Sequence, residues 1–220
     1  MVDPNSLELG TKVEDKSLQA ACVWMDHIAF KQQKHKQLSF NLYVSAMTGK
    51  SLVELSKLFG DTEITKQAKE FSEKIHSNCV AKYWSKEEKV FIDNKPTWMA
   101  EEKGARYSDR ALATALLFHQ CPGNDEKKSV EILKTFPPNL GISYPCNAVW
   151  RYWALAENGE LETLLNDLRN KWGKLPSVLE SNTLQEDWNA KHDNGSQWSH
   201  ERCGANCSAL SGISWCVKNL

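Results

Sequence analysis

Among the loops of this sequence, residues 181–203 are the richest in side chains suited to catalysis. The stretch reads SNTLQEDWNAKHDNGSQWSHERC and combines carboxylates, histidines and tryptophans. Glycoside hydrolysis needs such a combination. In inverting enzymes one carboxylic acid protonates the leaving oxygen and one carboxylate activates water, with the two groups about 6.5–9.5 Å apart. Burial against tryptophan raises a carboxyl pKa, which suits the acid. The alternative interpretation of the same residues is a solvated surface loop.

Histidine and cysteine side chains at the end of this stretch raise the alternative of a zinc site. His200, Cys203 and Cys207 are ligand types that zinc accepts. The two cysteines are one helical turn apart, however, and the sequence has no tight Cys-x2-Cys pair. Nothing orients a histidine toward a particular thiol, as a nucleophilic cysteine would require. We therefore expect no metal site and no cofactor.

Composition and charge argue against several classes of partner. The 220 residues carry 27 basic and 28 acidic side chains, a formal net charge of −1, so we expect neither nucleic acid nor a membrane as partner. No apolar run approaches the roughly 20 residues of a membrane span. The first residues lack the features of a secretory signal, and the seven cysteines are an odd number, which favours free thiols. We expect a cytoplasmic protein.

Tryptophan is unusually frequent, with nine residues in this length of chain. The indole ring has a large flat apolar face and one N–H donor, which suits both a protein core and the face of a sugar ring. We expect core packing for most of these residues, so the excess is only an indication of carbohydrate binding.

The elements that must position these groups are helices. Apolar residues recur at helical spacing nearly throughout, and the alternation typical of strands is rare. Gly60 is suited to a left-handed helix end, and Asp61 or Thr62 to the N-cap that follows. Gly49 makes an unbroken second helix less certain. The pattern predicts helices over residues 17–36, 38–59 and 62–84, then an irregular stretch over 86–107 in which VFIDN is extended.

Capping and helix-breaking residues divide the remaining chain. Ser108 is the expected N-cap of a helix that Pro122-Gly123 closes. Asn124 is the expected N-cap of the next helix, which ends before Pro137-Pro138. Pro145 opens a further helix at a first-turn position, with Asn158-Gly159 at its end. The last predicted helices cover residues 160–172 and 200–217.

Seven or eight helices with short connections predict an all-α fold of antiparallel helical hairpins. Residues 1–16 form an N-terminal tail, and residues 17–220 form one domain. No fixed-period motif repeats, which argues against a regular solenoid of the tetratricopeptide type. Periodicity alone leaves three arrangements of the hairpins open: a closed toroid, a stacked solenoid and a bundle.

The order of several short motifs carries a resemblance to a known family. NTLQEDW at residues 182–188, followed by SQWSH at 196–200, resembles the stretch that bears the catalytic base in α-L-rhamnosidases of glycoside hydrolase family 78. The resemblance covers roughly residues 20–212. Further motifs follow the family's order: QLSFNLY at 37–43, LFGD at 58–61, YSDRAL at 107–112, ISYPCN at 142–147, WRYW at 150–153 and RNKW at 169–172.

The resemblance implies a fold, a reaction and a set of residues. The fold is the C-terminal half of a six-hairpin (α/α)6 toroid, and the reaction is inverting hydrolysis of terminal α-L-rhamnosides. By position, Glu186 matches the general base and His200 a histidine of the substrate pocket. Trp188 and Trp198 are candidate pocket walls.

The chain differs from the family in the part that corresponds to the first half of the family's barrel. The family's general acid lies in an upstream Asp-Glu-Arg segment, and no Asp-Glu-Arg occurs in this sequence. The resemblance therefore implies half a barrel, which leaves Asp26, Asp187 and Asp193 as unranked candidates for a second carboxylate. The alternative function is a non-enzymatic helical scaffold or a sugar-binding remnant. Apolar helix faces left exposed would then favour self-association.

Overall fold

The computed structural model describes residues 37–93, 106–143, 145–182, 184 and 188. The N-terminal tail and the helices predicted over 17–36 and 200–217 lie outside these residues. Within the described chain the fold is all-α, as predicted, with α-helices and short 3-10 and π turns. The four strands of that part contain two residues each. Helical hairpins therefore form nearly all of the described structure.

The first hairpin follows the prediction closely, with one local widening. Helix α1 continues through a π turn into α2, and the π turn contains Gly49. A Cβ atom at Gly49 would lie 2.4 Å from the hydroxyl oxygen of Ser72, so only glycine lets these helices approach so closely. The elements are α1 (Gln37–Ala46), the π turn (Met47–Leu52), α2 (Val53–Leu58) and α3 (Thr62–Tyr83).

The turn between α2 and α3 has the capping chemistry that its sequence predicts. Gly60 has a φ of +71°, a left-handed conformation that glycine adopts without strain. The Asp61 carboxylate accepts a hydrogen bond of 2.9 Å from the backbone N–H of Ile64, which satisfies one of the free donors at the start of α3. Local sequence alone therefore specifies this reversal of the chain.

Two short strand pairs join the helices. Strands β1 (Trp84–Ser85) and β2 (Val90–Phe91) are antiparallel, and β2 confirms the extended segment predicted there. Strands β3 (Tyr107–Ser108) and β4 (Leu140–Gly141) are parallel. The second pair sets the start of the next helix beside the segment that follows residue 141.

The second hairpin corrects one predicted cap. Ser108 caps α4 (Asp109–Leu117) as expected, since its hydroxyl accepts the N–H of Ala111 at 3.3 Å. Asn124, however, ends a 3-10 turn (Pro122–Asn124) and has a φ of +55°. An N-cap needs an extended backbone, so Asn124 cannot fill that role. Helix α5 (Lys127–Thr135) begins three residues later, without a side-chain cap.

The third hairpin is also shorter than its sequence suggests. Pro145 opens a 3-10 turn (Pro145–Asn147) instead of the helix itself, and Gly159 ends the helix region with a φ of +78°. The helical elements are α6 (Val149–Glu157), α7 (Leu161–Asn170), a 3-10 turn (Trp172–Lys174) and α8 (Pro176–Ser181).

The helices pack in two rows. Helices α1, α4 and α6 lie side by side, with α4 in the middle, while α3, α5 and α7 pack against them. Each helix of the second row is the hairpin partner of its neighbour in the first row. Helix α4 is buried on nearly all sides, because neighbours cover it in both directions. The described chain is thus a row of three helical hairpins.

Two hydrophobic clusters fill the interior. The larger one joins the first two hairpins and includes Leu38, Ile75, Phe91, Leu112 and Leu133. The smaller one is aromatic: Tyr152 and Trp172 are fully buried, and Leu184 and Trp188 pack against it. The smaller cluster therefore brings the end of the described chain back onto α6.

An unusual acid lies at the end of β2. Asp93 is 6% exposed, and its backbone N–H donates to the carbonyl of Arg106 at 3.0 Å. Among the described residues nothing hydrogen-bonds its Oδ2 atom. Burial disfavours the charged form and raises the pKa of this carboxyl to about 7.

The pKa of Asp93 predicts a pH-dependent stability. The folded protein holds this proton up to about pH 7, whereas the unfolded chain releases it near pH 4. The free energy of unfolding should therefore fall between these values as pH rises. Asp93→Asn should flatten this fall and stabilise the protein at about pH 8 by about 1–3 kcal/mol relative to wild type. Urea unfolding at about pH 5 and pH 8 measures both effects.

Asp61→Asn is the control, because it changes an exposed aspartate to another good N-cap. An equal loss of stability with pH in Asp93→Asn and wild type would contradict the assignment.

Candidate functional site

The structure places one of the four predicted site residues. Glu186, Trp198 and His200 lie outside the described residues, so their roles stay predictions. Trp188 is described and half-buried. Its contacts show where the last residue of the NTLQEDW motif lies in the fold.

Trp188 is fixed by contacts from two directions. Its indole N–H donates a hydrogen bond of 2.6 Å to the backbone carbonyl of Ser143. Its ring meets Trp172 edge to face, with centroids 5.0 Å apart, a favourable geometry for two aromatic rings. The ammonium of Lys171 lies 4.0 Å from the Trp188 ring centroid. These contacts join residue 188 to the segment before α6 and to the end of α7.

Ser143 is itself held by a buried carboxylate. The Ser143 backbone N–H donates to Oδ2 of Asp109, and its hydroxyl donates to Oδ1, both at 2.8 Å. Asp109 is the first residue of α4 and only 5% exposed. A carboxylate is favoured there because the helix N-terminus carries partial positive charge. The start of α4, Ser143 and Trp188 therefore form one connected chain of contacts.

A polar network beneath Trp188 fixes its aromatic neighbour. The Trp172 indole N–H donates to the hydroxyl of Tyr152 at 2.7 Å, and that hydroxyl donates to Asp167 at 3.3 Å. Asp167 also pairs with Arg151, whose Nε atom donates to the Leu133 carbonyl at 2.7 Å. Burial raises the pKa of Tyr152, so the hydroxyl stays neutral. The network orients Trp172 against Trp188.

Lys171 is a cation between two aromatic rings. Its Nζ atom lies 4.3 Å from the Phe136 ring centroid and 4.0 Å from that of Trp188. Burial lowers the pKa of this amine to about 8, with Asp167 raising it and Arg151 lowering it by smaller amounts. Lys171 is thus partly neutral slightly above physiological pH.

A second aromatic group surrounds the residue after Asp109. The Arg110 guanidinium lies 3.8 Å from the Trp150 ring centroid and 5.5 Å from that of Tyr43. Its NH1 atom donates to the side-chain oxygen of Asn147 at 3.4 Å. These side chains come from α1, α4 and the start of α6, the first row of helices, and all are partly buried. Aromatic faces beside an arginine and an amide suit a polar ring such as a sugar.

Around Trp188, the described polar residues hold the fold in place, and none of them is assigned to catalysis. Asp109 has both carboxylate oxygens occupied by Ser143, so it is a structural acid. The described chain has no group of three or more histidine, cysteine or acidic side chains that would hold a metal. None of its helices is both long and apolar enough to cross a membrane.

Sequence reasoning found Trp188 but missed the residues that hold it. Asp109 and Ser143 occur in the motifs YSDRAL and ISYPCN, whose order was noted without a role for either side chain. The available signal was the Ser-Asp pair at a helix start, which places a carboxylate in the first turn. No sequence signal pairs Lys171 with residue 188.

Comparison with known proteins shows the fold. No profile of a known protein family matches the sequence, and no curated protein matches it. The solved structures that are similar in fold include two rhamnosidases. The first, a GH78 family rhamnosidase of Bacillus sp. GL1, has a TM-score of 0.60 and 21% identity over 80% of this chain. The second, a rhamnosidase from Klebsiella oxytoca with rhamnose bound, has a TM-score of 0.63 and 14% identity over 90% of this chain.

The chain spans only part of these proteins, 18% of the first and 38% of the second. The described chain therefore shares the helical-hairpin fold of part of these two structures, which agrees with the fold that its sequence motifs imply. The identities are low, so the likeness concerns the fold.

The Asp109–Ser143 contact predicts a graded effect on stability. Asp109→Ala removes both acceptors and leaves two buried donors unpaired, which should lower the free energy of unfolding by about 2–4 kcal/mol. Ser143→Ala removes only the hydroxyl and keeps the N–H bond, so its cost should be about 1 kcal/mol. Urea unfolding at neutral pH measures both. Equal costs for the two variants would show that the backbone N–H bond contributes nothing.

Proposed function

We propose that this chain is a glycoside hydrolase-like protein that handles terminal α-L-rhamnosides, with inverting hydrolysis as its reaction. The observation that carries the proposal is the hydrogen bond from Trp188, the last residue of the NTLQEDW motif, to the carbonyl of Ser143, in a fold similar to two rhamnosidases. One of those two is described with rhamnose bound. The protein would then be a cytoplasmic enzyme of carbohydrate metabolism.

Glu186 is the proposed general base, which removes a proton from the water that attacks the anomeric carbon. It lies two residues before Trp188 in the sequence. His200 and Trp198 are proposed substrate contacts. Trp188 has its indole N–H occupied by Ser143, so any contact it makes with a sugar uses the exposed part of its ring.

No residue of this sequence matches the family's general acid by position, and Asp26, Asp187 and Asp193 stay unranked candidates for the second carboxylate. A positioned acid contributes about 10²–10⁴-fold to such a reaction, and the sequence has no Asp-Glu-Arg segment. Hydrolysis by this chain should therefore depend on how well the leaving group departs without protonation. An aryl rhamnoside with a weakly basic leaving group needs little help from an acid, whereas an alkyl rhamnoside needs a great deal.

The enzymatic proposal predicts a specific pattern of activity. The purified chain should release nitrophenol slowly from p-nitrophenyl α-L-rhamnoside, and methyl α-L-rhamnoside should be hydrolysed at least about 100-fold more slowly. Glu186→Gln should abolish release, because the amide cannot accept the proton of the attacking water. Glu180→Gln, an exposed change on α8, should have no effect.

Failure of a folded sample to release nitrophenol would argue against hydrolysis and favour the alternative function.

The alternative function, a non-enzymatic helical scaffold or sugar-binding remnant, has one observation in its favour. Large apolar side chains are exposed at the end of α2: Leu55 at 53%, Leu58 at 79% and Phe59 at 78%. Such side chains at one tip suit an interface between protein chains.

We further propose that the α2 tip supports self-association. The Leu58→Gln/Phe59→Gln double variant should sediment as a monomer under conditions in which wild type shows larger species. Leu161→Gln, a change of a 42% exposed leucine on α7, is the matched control and should behave as wild type. A wild-type protein that remains monomeric at high concentration in analytical ultracentrifugation would refute self-association.

A further inference from the structure

Lys171 occupies an unusual place, at the junction of three separate parts of the chain. It follows α7 directly, and its amine lies over Phe136, the residue just after α5, and over Trp188. Phe136 adopts a left-handed backbone with a φ of +54°, which directs the chain out of α5 at this point. The amine is thereby placed between an interior helix end and the NTLQEDW segment.

Charged groups and aromatic rings both act on Lys171. Asp167 of α7 is the acid that favours its charge most, and this carboxylate also pairs with Arg151 of α6. Arg151 also contacts the Phe136 ring at 4.7 Å and opposes the charge of Lys171. Asp109 at the start of α4 favours that charge and is the remaining acid that acts on it, although both of its oxygens receive bonds from Ser143.

We propose that Lys171 is a positioning residue for Trp188, because its ammonium over the Trp188 ring keeps that indole on Ser143 and Trp172. The role is distinct from catalysis, since Lys171 acts through Trp188. Loss of the cation weakens the ring contact but leaves the hydrogen bond and the edge-to-face contact in place. Trp188 then leaves Ser143 more often.

The consequence for the site follows from the covalent chain. Only one residue lies between Glu186 and Trp188 in the sequence, so their Cα atoms lie within about 7 Å of each other. Movement of Trp188 therefore moves the proposed general base. A misplacement of about 1 Å costs up to about 100-fold in rate. This consequence rests on the proposed function, whereas the contact of Lys171 with Trp188 does not.

The indole N–H of Trp188 reports the contact directly, because it exchanges with water only when its bond to Ser143 opens. Solvent exchange of this proton is measured by NMR on protein with 15N-labelled tryptophan, and Trp188→Phe assigns the signal. Lys171→Met removes the charge at similar length and should speed exchange about 3- to 10-fold. Lys171→Arg keeps the charge and should restore exchange to within about twofold of wild type.

Lys174→Met is the matched control, an exposed lysine three residues away, and should leave exchange unchanged. Wild-type exchange in Lys171→Met, or exchange in Lys171→Arg as fast as in Lys171→Met, would overturn the proposal. The arginine result separates a need for the cation from a need for a long apolar side chain.

A pH comparison tests the same proposal without a destabilised variant. The Lys171 amine loses its charge as pH rises through about 8, whereas arginine stays charged. After division by the exchange rate of free indole, the wild-type rate should rise above about pH 8, and that of Lys171→Arg should stay flat. Parallel profiles would refute the role of the cation.

Activity separates the failure of this inference from failure of the proposed function. If wild type hydrolyses the aryl rhamnoside, Lys171→Met should lower kcat with little change in KM, and Lys171→Arg should restore it. If wild type is inactive but its indole exchange depends on Lys171, the positioning role stands and the hydrolase proposal fails.

Discussion

The carboxylate of Asp109 has to receive hydrogen bonds, because burial without partners would cost several kcal/mol. Ser143 supplies both bonds, and this requirement connects three parts of the chain. It sets the start of α4, the middle helix of the first row, against the segment that leads from β4 to α6. It also leaves the Ser143 carbonyl facing Trp188. The position of residue 188 thus depends on an acid 79 positions earlier in the sequence.

The aromatic cluster adds a second constraint at the same end of the fold. Trp172 needs an acceptor for its buried indole N–H and finds it in Tyr152, which in turn reaches the Asp167–Arg151 pair. The hydrogen bonds of these buried polar groups and the packing of the rings together fix Trp172, the ring against which Trp188 packs. A site that handles a ligand benefits from such rigidity, since binding then costs less conformational entropy.

The sequence predicted the features that depend on neighbouring residues. Asp61 and Ser108 cap their helices, and Gly60 takes the left-handed conformation, because each choice depends on a few residues of local backbone. Asn124 and Pro145 were assigned wrongly, since short 3-10 turns compete with the first turn of a helix and the same residues suit both. Trp188 was recognised by its motif. Its partner Ser143 lies 45 residues away, and no local pattern indicates that pairing.

The proposed function requires that the end of the fold where Trp188 meets Ser143 binds a sugar of the rhamnose type. The most direct measurement is a titration of L-rhamnose into protein labelled with 15N-tryptophan, followed by NMR of the indole N–H signals. We expect a saturable shift of the Trp188 signal, with a dissociation constant on the order of millimolar, and no shift with D-glucose. Unchanged indole signals in folded protein at about 100 mM L-rhamnose would contradict the claim.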